Sequence, residues 1–147
     1  MRRRRFPEAR AAYDKALAID PKFETAYLRI ADLLVGQAKV GEAAEFLGKA
    51  LETRPSSAML HYGFGDLKQR LAGTNRDEAM LSAAEREFRE AIRLEPTLLS
   101  ARHRLAQTLL DKGDAAGAMK ELSGLQARPD YELPKSAPPT LSMFRSS

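Results

Sequence analysis

A short frame that returns along the chain constrains its fold more than any other feature. Ala84, Phe88, Ala91 and Pro96 set the spacing: small, bulky, small, then Pro. The same spacing holds for Ala9, Tyr13, Ala16 and Pro21, and for Ala43, Leu47, Ala50 and Pro55. A worn copy follows at Ala118, Leu122, Leu125 and Pro129. The intervals between the leading alanines are 34, 41 and 34 residues. Positions i, i+4 and i+7 lie on one helical face. Alanine there lets a neighbouring helix approach closely, and the bulky residue fills the gap beside it. Proline then stops the helix. A chain built this way buries its apolar surface between successive units, without a single central core.

Each frame is preceded by a second helical pattern. Before Ala43 stand Tyr27, Ile30, Ala31 and Leu34; before Ala118, at the same offsets, stand Arg102, Leu105, Ala106 and Leu109. Paired patterns at this period resemble the tetratricopeptide repeat, whose 34-residue unit is a helix–turn–helix with the pattern W-x2-L-G-x2-Y…A-x3-F…P. The resemblance implies an all-α fold: antiparallel helix pairs, about seven helices in total, stacked into a right-handed α-α superhelix, a solenoid. It also implies a concave groove lined by the exposed positions of each first helix.

Read in order, the frame divides residues 1–129 into a half repeat (1–22), two repeats (23–56 and 57–97) and a last repeat (98–129). The tail, 130–147, contains Pro134, Pro138 and Pro139, which exclude a regular helix over most of it. The half repeat begins at about the twelfth position of a unit. That leaves the face of Ala9, Ala12 and Ala16 partly open and raises the reading that the chain is a fragment of a larger repeat protein. A first helix is expected from the turn Phe6-Pro7-Glu8, with Pro7 suited to the first helical position, to about 19, and others over 24–35, 41–53, 58–71, 76–94, 99–111 and 115–127. Ser56 or Ser57 can cap the fourth, and Gly73 can end it. The third unit carries seven extra residues, close to two turns at 3.6 residues per turn. The expectation is a longer helix five, its start capped by Asn75-x-x-Glu78 or Thr74-x-x-Asp77. Tyr131, Leu133, Leu141, Met143 and Phe144 are the tail's bulky apolar residues, suited to covering helix seven or to serving as a docking motif.

The net charge of +4 equals the charge of the run Arg2–Arg5, so the remainder is neutral. Nucleic-acid binding draws on a basic face across the fold, and none is patterned here. There is no cysteine, so there is neither a disulfide framework nor a thiolate metal site. No apolar run approaches a membrane span. Asp14, Lys15 and Asp20 interrupt the apolar region that an export signal would need after the Arg run. The compartment is left open.

No catalytic constellation emerges, and no cofactor or metal is implied. His61 and His103 lack zinc-ligand spacing, so surface or groove packing accounts for them. Ser56-Ser57 lacks a nucleophile elbow, and Gly63-Phe64-Gly65 falls inside a helix, where glycine signals close packing. The charged mixture on helix five reads as a solvated face. Mapped onto this sequence, the family groove comprises Thr25, Leu28 and Asp32, then Met59, Tyr62, Asp66 and Gln69, then Ser100, His103, Gln107 and Leu110. Leu28, Met59 and Tyr62 beside two carboxylates suit an extended or helical peptide bearing Lys or Arg, with Gln69 and Gln107 bonding its backbone. Asp32 and Asp66 have the wrong sign for the chaperone-tail carboxylate that some family members clamp. The expected function is a non-enzymatic interaction scaffold that binds a protein or peptide. The alternatives are self-assembly through apolar ends, or a segment of a larger protein with an enzymatic domain elsewhere.

Overall fold

Each framed segment up to residue 126 is a helix, and so is the segment before each frame from residue 24 onward. In the computed structural model, which describes residues 5–126, the order is α1 (Phe6–Ile19), α2 (Glu24–Gly36), α3 (Val40–Thr53), α4 (Ala58–Ala72), α5 (Glu78–Leu94), α6 (Leu99–Asp111) and α7 (Ala115–Gln126). These seven helices, with no strand among the described residues, form the solenoid. Arg2–Arg4 and the tail 130–147, with Tyr131, Leu133, Leu141, Met143 and Phe144, lie outside the described residues.

Each helix packs on the next in sequence, and α2 also touches α4, as α4 touches α6. The second helices α3, α5 and α7 make no such contacts with one another. First helices therefore form the closer inner row and second helices the wider outer row, which curves the stack and leaves α2, α4 and α6 facing the hollow.

The frame residues form the joints. Ala43, Leu47 and Ala50 share a buried cluster with Ile30 and Leu34 of α2 and with Leu60 and Leu67 of α4. Ala84 and Phe88 share another with Leu105, Ala106 and Leu109 of α6 and Ala118 of α7. Each bulky frame residue thus locks its own pair to the first helix of the next. Phe88 is wholly buried, and a Cβ added to Gly65 would come within 2.9 Å of its ring. Glycine there admits the ring. At α7, the last helix among the described residues, the frame is looser: Leu122 is 37% exposed, against 1% for Leu47. Ala9, Tyr13 and Ala16 of α1 are likewise only half-buried.

The turns explain the extra residues of the third unit. The Lys39 N–H donates to the Leu34 carbonyl at 2.8 Å, Asp77 to Ala72 at 3.2 Å and Asp114 to Leu109 at 2.8 Å. After α2 and α6 the closure follows a helix that ends on a left-handed residue, Ala38 and Gly113; α4 ends, as expected, at Gly73, which also has positive φ, and the left-handed Arg76 comes three residues later. Ala72 stands 38 positions after Leu34, four more than the repeat length; Asp77 leads Ala84 by seven positions where Lys39 leads Ala43 by four. The insertion is therefore divided, instead of lying wholly on helix five: α4 is two residues longer than α2, α5 three longer than α3, and two more lengthen the turn between them. The added helical residues keep Ala72 and Leu81 buried.

The caps follow local chemistry. Ser57 Oγ accepts from the Leu60 N–H. At α5 the cap is Asp77, whose Oδ1 accepts from the Ala79 and Met80 N–H groups at 2.9 and 3.3 Å. Neither Asn75 nor Thr74 caps α5, because Arg76 is left-handed and the helix starts only at Glu78.

Candidate functional site

The inner faces of α2 and α4 enclose a cleft of about 350 Å³. Six of the expected groove residues line it: Thr25, Leu28 and Asp32 from α2, and Met59, Tyr62 and Asp66 from α4. Leu47 and Leu67, both buried, supply its apolar floor, together with Gly63. A Cβ on Gly63 would lie 2.7 Å from Leu28 Cδ2, so the hydrogen side chain is what keeps the two helices close at this point. Tyr62 leans back on Phe88, ring centroids 5.9 Å apart, which ties one cleft wall to the frame of α5. A second cleft, of about 420 Å³, continues the same face past Arg29 and Asp32 to Phe6 and Tyr13 of α1.

The other expected residues lie beyond this cleft. Gln69 donates to Asp111 of α6 at 3.2 Å, and so serves as a clasp between first helices. Gln107 accepts from Arg104. Ser100, His103 and Leu110 are exposed on α6.

Charge pairing changes the electrostatic expectation. Asp66 is held by Arg70 on its own helix, at 3.1 Å, and by Arg104 reaching over from α6. Asp32 pairs with Arg29 at 3.4 Å. The two carboxylates expected to await Lys or Arg already face guanidinium groups of the chain. Arg29, Arg70 and Arg104 belong to the same inner surface and were missed. Helical spacing from Asp32 and Asp66 could have pointed to Arg29 and Arg70. Nothing in the sequence marks Arg104, which is brought in by packing.

Outside the groove, His61 is a strut. Its Nδ1 lies 2.9 Å from Glu87 Oε1, and its Nε2 donates to the Pro55 carbonyl at 2.8 Å. The ring joins α4 to α5 and to the preceding turn. Lys112, at the end of α6, donates to Ser82 at 3.1 Å and to Glu85 at 2.9 Å. Burial raises the Glu85 pKa, but hydrogen bonds from Lys112 and Arg89, with their charges, outweigh it and hold the carboxyl below its usual range. Glu90 is lowered by its hydrogen bond from Arg93. Among the described residues no group of three His, Cys, Asp or Glu could hold a metal ion. No helix there is long and apolar enough to cross a membrane.

Paired helices, an inner row and a frame at each joint define a class, the tetratricopeptide repeat array. By sequence, residues 1–69 match the family model for the tetratricopeptide repeat, and this part of the chain is identified as such; beyond it the same helix pairing continues in the fold. No curated protein matches the sequence. Among solved structures, a human IFIT1 dimer with m7Gppp-AAAA is similar at 25% identity and a TM-score of 0.68, over 79% of this chain and 28% of that one. A crystal structure of MamA is similar at 24% identity and a TM-score of 0.63, over 80% of this chain and 65% of that one. MamA of Desulfovibrio magneticus RS-1 is similar at 20% identity and a TM-score of 0.61, over 81% and 63%. The chain thus spans about a quarter of the IFIT1 length and under two thirds of MamA. At these identities the MamA likeness speaks for the fold alone. The fold is that of a protein–protein interaction module.

Proposed function

We propose that this chain is a non-enzymatic scaffold that docks a peptide or a segment of a partner protein in its concave groove. The observation that carries this reading is the cleft between α2 and α4: an apolar floor walled by two adjacent first helices and open to the hollow. Pockets of a few hundred Å³ with a few polar groups at the rim are the usual form of a binding site. The rim here is Thr25, Asp32, Met59 and Asp66, with Tyr62 braced from behind. The half repeat and the repeats at 23–56, 57–97 and 98–129 are proposed as the scaffold, with 130–147 as a tail outside it. Ser100, His103, Gln107 and Gln69 are proposed as the groove's continuation along α4 and α6.

The test is selection of short peptides from a displayed library on the purified chain, followed by titration on wild type and a Thr25→Arg/Met59→Arg variant. Both positions are exposed, so the variant is expected to keep its helical circular dichroism while affinity falls at least about tenfold, a loss of roughly 1.4 kcal/mol. Selected peptides that bind both proteins equally would remove the cleft from consideration.

A second reading has its own observation. Met119 and Leu122 are exposed on α7, whereas Ala44 and Leu47, the residues matching them in the frame, are buried. That face favours self-association through the end of the array.

A further inference from the structure

This inference rests on the cleft reading and adds the chemistry of the segment that the groove takes. Next along the inner face, between α4 and α6, two guanidinium groups meet one carboxylate. Arg70 Nε donates to one oxygen of Asp66, and Arg104 pairs with the other. Arg104 also donates to Gln107 at 3.2 Å, a neutral acceptor. A guanidinium has five N–H donors, so Asp66 and Gln107 take up only a minority of those present. Two other carboxylates of this surface have partners of their own. Asp32 faces Arg29 on α2. Asp111 accepts from Gln69 and lies seven residues beyond Arg104, about 10 Å along α6 at 1.5 Å per residue. Arg70 keeps 53% of its side chain exposed. Among Arg70, Arg104 and Asp66, one positive charge is in excess at this point of the seam, about two turns of α6 from Asp111.

We infer that the groove binds an extended, acidic peptide segment in two points: a bulky apolar side chain in the α2–α4 cleft, and an Asp or Glu side chain against Arg70 and Arg104. Neighbouring helix axes lie about 8–10 Å apart, and an extended chain advances about 3.3 Å per residue. The anchor and the acid are therefore about three residues apart. Arginine pairs bind carboxylates through parallel hydrogen bonds, which fixes register as well as charge. RNA would need a run of cations along the groove. Here the neighbouring site is an apolar cleft flanked by an internally paired Arg29 and Asp32.

The test uses short peptides with acetylated and amidated ends, carrying Phe or Leu at the anchor and Glu, Gln or Lys at that spacing. Titration is by fluorescence polarisation on wild type, on Arg70→Gln/Arg104→Gln and on Thr25→Arg/Met59→Arg, each first checked for helicity. The expected result is Glu over Gln by about tenfold, and Gln over Lys, as for one charge-assisted contact. That preference is expected to fade at high salt and to vanish in the arginine variant, with all binding lost in the cleft variant. Equal binding of the three peptides, still abolished in the cleft variant, would overturn the acidic pairing and leave the cleft reading intact. Peptides that fail to bind, or bind regardless of the cleft variant, would overturn both. An arginine-dependent affinity for a 5′-triphosphorylated oligoadenylate that exceeds that for the Glu peptide would assign the seam to RNA instead and overturn the proposal.

Discussion

Phe88 and Leu122 hold the same place in the frame and differ in what covers them. Phe88 is buried among Leu105, Ala106 and Leu109, the first helix of the next pair, while Leu122 keeps 37% of its surface. Truncating a fully buried Phe removes its transfer energy and leaves a cavity, about 3–5 kcal/mol in all. Phe88→Ala is therefore expected to cost several kcal/mol in urea denaturation, and Leu122→Ala about 1 kcal/mol or less, for want of a cavity. Comparable losses at the two positions would mean that α7 is covered as α5 is. Gly65 belongs to the same joint, since the Phe88 ring occupies the space where a Cβ would go. This much was legible at the residue scale, because a small residue opposite a bulky one is a packing statement. The role of His61 was not: its partners, Glu87 and the Pro55 carbonyl, lie on other elements.

Between elements, the α5–α6 seam carries a group whose titration differs from the ordinary. Glu85 takes hydrogen bonds from Lys112 and Arg89, and its folded-state pKa is depressed. A depressed carboxyl contributes stability that is fully present above its unfolded value, about 4.3, and is lost as pH falls through the folded one. Glu85→Gln is expected to be less stable than wild type by about 1 kcal/mol at neutral pH. Paired denaturation curves should show that gap closing below about pH 4.3. A gap constant from neutral to acid pH would rule out the ion pair as its source. The length of α5 was partly legible, as was the phase of the insertion, since seven residues nearly fill two turns. How those residues divide was not. It depends on where the chain turns, since α4 stops at Gly73 and α5 starts only after the left-handed Arg76.

For the whole molecule, curvature follows from contacts that skip a neighbour: α2 with α4, and α4 with α6. They place the cleft and the arginine seam side by side on one hollow surface, so that a single extended segment can span both. The face of α7 offers a different surface, where Met119 and Leu122 are exposed. If copies associate there, Met119→Glu/Leu122→Glu should shift light scattering at tens of micromolar from oligomer to monomer without loss of helicity. A wild-type chain that scatters as a monomer would remove that reading.

Sequence alone determined the helices, their pairing and their period. Each depends on residues within one unit: alanines and a bulky residue at helical spacing, and a proline that no helix can continue. It also located the α2 and α4 walls of the cleft, because exposed positions recur with the repeat. Only the tertiary structure decided the electrostatics. Asp66 and Arg104 are 38 positions apart and meet because first helices stack along the hollow. A carboxylate that looks free in the sequence is neutralised by packing, and the charge left over has the opposite sign.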